Sequence, residues 1–171
     1  MLNLSRSLTF LFGFFILLLT FVSCTSSGST EQEAKEPAAS NDLPQLSLTT
    51  IGGKQLTIAD EFDGKTILVL FQPECDDCQR QAQAIKQNLK AFENFSLYFV
   101  SSAPTAQIAA FAEHYQLNTH QHITFAQTTV QDVIQSLGQV PAPSIYIYSD
   151  EGKLIKSFNG EVGIEELGKY L

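Results

Sequence analysis

The chain has 171 residues, no Trp, and a formal charge of −8 from 18 Asp+Glu against 10 Lys+Arg. That length is one ordinary domain with extra segments and leaves little room for a second. The acidic balance argues against nucleic acid and against electrostatic adsorption to anionic lipid, since both need basic patches.

Residues 1–23 read as an export signal, with Arg6 in a short start, an apolar stretch over 8–22, and small Ser23 before Cys24. The stretch is short for a spanning helix; a retained signal anchor is the other reading. Phe21-Val22-Ser23-Cys24 resembles a bacterial lipobox, with Phe21 in place of the usual Leu. The resemblance implies that Cys24 is lipidated and becomes the mature N-terminus; the alternative is a soluble exported protein with Cys24 as an odd thiol. Lipidation accounts for the odd cysteine and leaves Cys75 and Cys78 to each other, in a compartment where dithiols can be oxidised. Removing Arg6 with the signal leaves 9 Lys+Arg against the same 18 Asp+Glu, a mature charge of −9. Membrane attachment therefore rests on the lipid. Residues 25–42 are Ser/Ala/Glu-rich without apolar periodicity and act as a tether. Thr25, rather than an Asp that would resemble an inner-membrane retention signal, points toward the outer membrane.

The folded domain is expected over 44–171. Leu46, Leu48 and Ile51 before Gly52-Gly53, with Leu56 and Ile58 after it, predict two short strands around a glycine turn. A short helix or turn is expected over 59–65, then a central strand over 66–71, apolar on both pleat faces. Phe71-Gln72-Pro73-Glu74-Cys75-Asp76-Asp77-Cys78 follows. Next, Ala82, Ile85, Leu89 and Phe92 recur at helical spacing. A C-x-x-C between a buried strand and a helix puts its first sulfur near free N–H groups and the positive end of the dipole, which favour a thiolate.

A second buried strand is read over 97–101, then a helix near Pro104 with Ile108, Phe111, Ala112 and Tyr115 on its apolar stripe. Ile123 and Phe125 mark a short strand. Thr129 with Asp132 resembles a capping box ahead of Val130, Val133, Ile134 and Leu137, and Gly138 can end that helix. Residues 144–148 and 154–158 form a hairpin around 150–153, and Ile164, Leu167 and Leu171 mark a closing helix. Alternating strands and helices imply a parallel core, with antiparallel edges from the late hairpin.

With its C-x-x-C after the first strand of the β-α run, the domain resembles the thioredoxin-like superfamily, in particular its TlpA/ResA-type lipid-anchored thiol-disulfide oxidoreductases. The fold implied is α/β: a central mixed sheet flanked by helices, with an N-terminal β-hairpin extension. The resemblance implies that Cys75 is the attacking thiolate and Cys78 the resolving thiol. It also makes Pro143, ahead of the 144–148 strand in Val140-Pro141-Ala142-Pro143-Ser144, the cis-proline facing the disulfide. Beside a Pro, which cannot donate to a ladder, the Ala142 backbone is free to align an extended substrate. No cofactor is implied. Expected partners are exported or periplasmic protein disulfides, an unidentified redox partner protein that supplies electrons, and the membrane through the lipid.

Several positions depart from that family's pattern. Glu74 stands in place of Trp, Asp76-Asp77 in place of Gly-Pro, Val69 where thioredoxin has a buried Asp, and Gln81 where many TlpA/ResA-type proteins have Glu. The acidic residues oppose a thiolate, so a reductase or mildly reducing exchanger is expected rather than a strong oxidant. The readings from other classes are an inert disulfide, half a zinc site, and a redox-inert or copper-delivering lipoprotein. Zinc needs ligands no second C-x-x-C supplies. Copper-delivering relatives space their cysteines C-x-x-x-C, and His114, His120 and His122 read as solvated, so no metal is assigned. Gln72 stands where peroxiredoxins carry Thr or Ser. Tyr146 and Tyr148 alternate with Ile145 and Ile147 and read as packing.

Overall fold

The computed structural model describes residues 43–171. The export signal, Cys24 and the tether over 25–42 lie outside the described residues. Alternating apolar residues form β1 (Ser47–Thr50) and β2 (Gln55–Thr57), antiparallel with Leu48 opposite Leu56. Their turn uses Gly53 at φ +86°, a conformation that disfavours any Cβ. Residues 59–65 contain turns and no helix. β3 (Thr66–Leu70) is buried at all five positions, as its unbroken apolar run requires.

α1 (Asp76–Gln87) buries Cys78, Gln81, Ala82 and Ile85, a stripe at i, i+3, i+4 and i+7. The apolar period running on to Phe92 is not one helix. Asn88 leaves helical geometry at φ −125° and ψ 29°, and Leu89–Phe92 is a separate 3₁₀ segment that still buries Phe92. Then come β4 (Ser96–Ser101), α2 (Thr105–His114), β5 (Ile123–Gln127), α3 (Val130–Leu137), β6 (Ser144–Tyr148), β7 (Leu154–Asn159) and α4 (Ile164–Leu167). The closing helix stops short of the Leu171 that its periodicity suggests, with Gly168 as its C-cap.

The seven strands form one mixed sheet in the order β2-β1-β5-β4-β3-β6-β7. β3, β4 and β5 are parallel, while β6 and β1 run antiparallel to β3 and β5. Register therefore gathers one set of chain ends: Leu70 pairs with both Val100 and Ser144, and Ser101 with Gln127. The loops leaving β3, β4 and β5 and the loop entering β6 meet there, and the C-x-x-C sits among them.

Both sheet faces are covered. Ile85 of α1 and Ile108 of α2 pack with Phe99, Phe125 and Ile147 on one face. On the other, Val133 and Leu137 of α3 pack over Leu46, Leu68, Tyr98 and Tyr148. β6 serves both through its period of two, with Ile145 and Ile147 on the first face and Tyr146 and Tyr148 on the second.

Candidate thiol site

Cys75 is the N-cap of α1. Its extended backbone (φ −84°, ψ 117°) turns Sγ back over the first turn, where it accepts the Cys78 N–H at 3.2 Å. Sulfur thus takes the place that a Ser or Asp oxygen usually holds at a helix start. Asp76 and Asp77 fill the first turn, where carboxylates complement the dipole. Both thiols are free; Cys75 is half-buried rather than fully exposed, and Cys78 is 2% exposed. Burial, then the hydrogen bond with Cys75, pushes the Cys78 thiol up to about 12. A backbone hydrogen bond from Gln72 works against that rise, and the Asp77 charge adds slightly to it. One sulfur is therefore partly accessible, and the other is a shielded, protonated thiol.

The Cys75 thiol also reaches across to the loop before β6, donating to the Ala142 carbonyl at 3.6 Å. The Ala142–Pro143 peptide is cis. That loop is fixed by Ser144 Oγ, which donates to the Pro141 carbonyl at 2.7 Å and lies 3.2 Å from Asn159 Oδ1, and by the Gly160 N–H on the Pro143 carbonyl at 2.7 Å. The structure thus brings Cys75, Cys78, Ala142 and Pro143 together from residues 67 apart in sequence.

Beneath the thiols, Phe71 anchors the β3 exit, its ring 4.6 Å from that of Phe111 and 5.9 Å from Phe99. Gln72 then ties strand exits together: its Oε1 accepts from Ser101 Oγ at 3.1 Å, and its Nε2 donates to Ser102 Oγ at 2.9 Å. No periodicity marks this network, because its members are polar residues at the exits of two strands, β3 and β4.

A groove of about 330 Å³ opens beside Ala142, floored by Phe71 and Gln72 and walled by Val130 and Ile134. The sequence offers Val130, Val133, Ile134 and Leu137 as the apolar residues of this helix. Only Val133 and Leu137 meet the core, while Val130 is 59% and Ile134 40% exposed. The reason is angular: 130/134 and 133/137 are two i,i+4 rows, together wider than the face that one sheet covers. The unused row was legible as surplus apolar width.

Around α1, Arg80 pairs with Asp77 and, at 2.8 Å, with Glu161. Gln81 is 1% exposed; its Oε1 accepts the Val162 N–H at 2.8 Å, and its Nε2 is buried with no partner. Val69 lies in the core and Glu74 is exposed.

His120 and His122 precede β5, with ring centroids 6.0 Å apart. They sit at the end of the sheet opposite the thiols, a five-residue strand or about 16 Å away. Burial, then Lys86 and His122, lowers the His120 pKa. His114 ends α2 against Tyr115. Among the described residues, no three His, Cys, Asp or Glu side chains are grouped to hold a metal. No helix among them is long and apolar enough to cross a membrane.

A model described as the AhpC/TSA family matches residues 39–157. Two curated relatives, both named thiol-disulfide oxidoreductase ResA, are each 23% identical. That of Bacillus thuringiensis subsp. konkukian aligns over 146 residues, 83% of this chain and 80% of the relative. That of Bacillus cereus aligns over 134 residues, 76% and 75%. Among solved structures, a secreted Mycobacterium tuberculosis disulfide oxidoreductase, described as homologous to E. coli DsbE, superposes with TM-score 0.63 at 18% identity. It covers 74% of this chain and 93% of that one. A peroxiredoxin-like protein from Aquifex aeolicus gives 0.62 at 14%, covering 75% and 82%. The seven-stranded mixed sheet with its flanking helices is a thioredoxin-like fold, and the chain belongs to the AhpC/TSA family.

Proposed function

We propose that this protein is a thiol-disulfide oxidoreductase that reduces or exchanges disulfides in exported partner proteins through Cys75 and Cys78. The observation that carries the reading is the division of labour within the pair: Cys75 is half-buried with its Sγ capping α1, 3.2 Å from the Cys78 N–H, while Cys78 is fully buried. Names of relatives support it, since ResA proteins are called thiol-disulfide oxidoreductases.

The Cys75 thiolate attacks one sulfur of a partner disulfide. A new S–S bond forms, the partner's bond breaks, and its second sulfur leaves as a thiolate that takes a proton from water. Cys78 then attacks the Cys75 sulfur, its proton passing through water to the partner's remaining sulfur; the mixed disulfide breaks and that sulfur departs as a thiol. Two electrons pass to the partner, and the Cys75–Cys78 disulfide is reduced again by another dithiol protein. Ala142 and Pro143 align the partner's backbone beside the attacking sulfur. With Cys24 lipidated and residues 25–42 as tether, the domain faces the periplasm from a bacterial membrane, the outer membrane by the residue after Cys24.

Insulin reduction by the full chain tests the assignment. Activity is expected, and its survival in Cys75→Ser would exclude Cys75 as the nucleophile. Cys78→Ser is expected to accumulate the mixed disulfide with partner proteins.

A further inference from the structure

Two of the three large apolar side chains exposed among the described residues, Val130 and Ile134, wall the groove that begins at Ala142. Ala142 also accepts from Cys75 Sγ, so the groove is continuous with the reactive sulfur. It does not end at α3. Ser102, Thr128 and Val130 are shared with a second, more polar cleft between α3 and the β1–β2 hairpin, lined by Asp60, Glu61 and Asp132. Lys54 holds Glu61 at 2.8 Å, whereas neither Asp60 nor Asp132 is ion-paired among the described residues. The result is one track with an apolar wall beside the thiol and unpaired negative charge at its far end.

We propose that this track selects partner polypeptides that carry an apolar side chain next to the reacting cysteine and a lysine or arginine several residues away. The inference rests on the thiol-exchange function above and names its substrate class. Sheet geometry sets the spacing. From β3, where the thiols sit, to β5 and β1 is two to three strand spacings, about 10–15 Å; an extended segment covers that in roughly three to five residues. The apolar residue would lie against Ile134 and Val130, and its cation would reach Asp132 and Asp60. Charges at the rim of such a surface act on encounter more than on the bound state, so the effect belongs to the exchange rate and weakens as salt screens it.

Synthetic peptides of the form leucine-cysteine, each blocked as a mixed disulfide with mercaptoethanol, test the proposal. Arg, Gln or Glu is placed about four positions from the cysteine on either side. Exchange is followed with the reduced full-length protein, and hydroxyethyl disulfide serves as a small, uncharged control. The Arg peptide is expected to react about 3- to 10-fold faster than the Glu peptide at low salt, with the ratio collapsing at high salt. Asp60→Asn with Asp132→Asn should cut the preference to the remainder supplied by Glu74, Asp76 and Asp77 beside the thiols and by the net negative charge, and Asp60→Lys with Asp132→Lys should cut it further, all with unchanged control rates; a preference that neither pair of substitutions changes would overturn the proposal. Ile134→Ser should slow every leucine peptide while sparing the control. A rate indifferent to peptide charge while the control reacts would overturn the proposal and leave the oxidoreductase function standing. A wild-type protein inert toward the control would overturn both. Sedimentation that reveals a dimer seated on this face, relieved by Ile134→Ser, would assign the track to a second copy of this chain instead.

Discussion

Sγ of Cys75 accepts the backbone N–H of Cys78 at 3.2 Å, so the attacking sulfur is also the cap that starts α1. Reaction and helix stability therefore share one atom. Cys75→Ser keeps a capping oxygen and should unfold in urea within about 0.5 kcal/mol of the parent, while insulin reduction is lost; Cys75→Ala should lose about 1 kcal/mol as well. Equal urea midpoints for the two variants would remove the cap from this account.

Burial raises the Cys78 thiol to about 12, above its value in the unfolded chain near 8.5. Between those values the unfolded state has released a proton that the folded state keeps. The contribution is thus whole below about pH 8.5 and fades as pH climbs toward 12. Thermal melts of the reduced protein should fall more steeply above pH 8.5 than those of Cys78→Ala. Buried Tyr98, Tyr146 and Tyr148 are shifted in the same direction, so the difference between the two proteins is the quantity to read. Parallel melting curves would contradict the raised thiol.

Asp76 and Asp77 put negative charge beside the thiols, and Arg80 partly offsets it by pairing with Asp77. Replacing both by Asn removes charge that opposes the thiolate and should make the pair more oxidising, by on the order of 10 mV. Arg80→Gln should move the potential the other way, without much change in the urea midpoint, because both of its ion pairs are exposed. Glutathione redox titration reads both shifts; a pair made more reducing by the Asn variants would refute the assignment.

The Gln81 amide holds the Val162 N–H from inside the core while its own Nε2 goes unpaired. Gln81→Leu strands that N–H but also removes the unpaired donor, so the net loss should be modest, about 1 kcal/mol. Gln81→Ala adds a cavity and should cost about 2–4 kcal/mol by urea denaturation. Were Leu to prove the worse of the two, the amide would matter more than the volume it fills.

Strands and helices that bury apolar residues were legible because burial imposes a period. The run over 66–71 reads as a central strand, and the stripe Ile108, Phe111, Ala112 and Tyr115 after Pro104 as a helix, without reference to anything distant. Gln81 was not legible as core, although it stands at i+3 from Cys78 and i−4 from Ile85 on the buried stripe, because its polarity hides it from a hydrophobic pattern. Gln72, Ser101 and Ser102 were missed for another reason: their bonds join strand exits about 30 residues apart, and local sequence carries no trace of them. Asn88 shows a third kind of limit. Leu89 and Phe92 keep the helical beat, yet a different helix geometry delivers the same burial.

The outermost strands have a consequence for solubility. β2 is only three residues long, and β7, at the other margin, turns Ile155 outward. A bare ladder with an apolar side chain invites a second chain to add itself. Lys156, next in line, lays its ammonium 5.5 Å from the Phe158 ring and 5.6 Å from that of Tyr170, which keeps a cation on that margin. Replacing it with an uncharged β-former such as Val would leave Leu-Ile-Val-Ser-Phe without a charge inside the strand, an aggregation segment flanked only by Lys153, in a protein whose other margin is too short to polymerise.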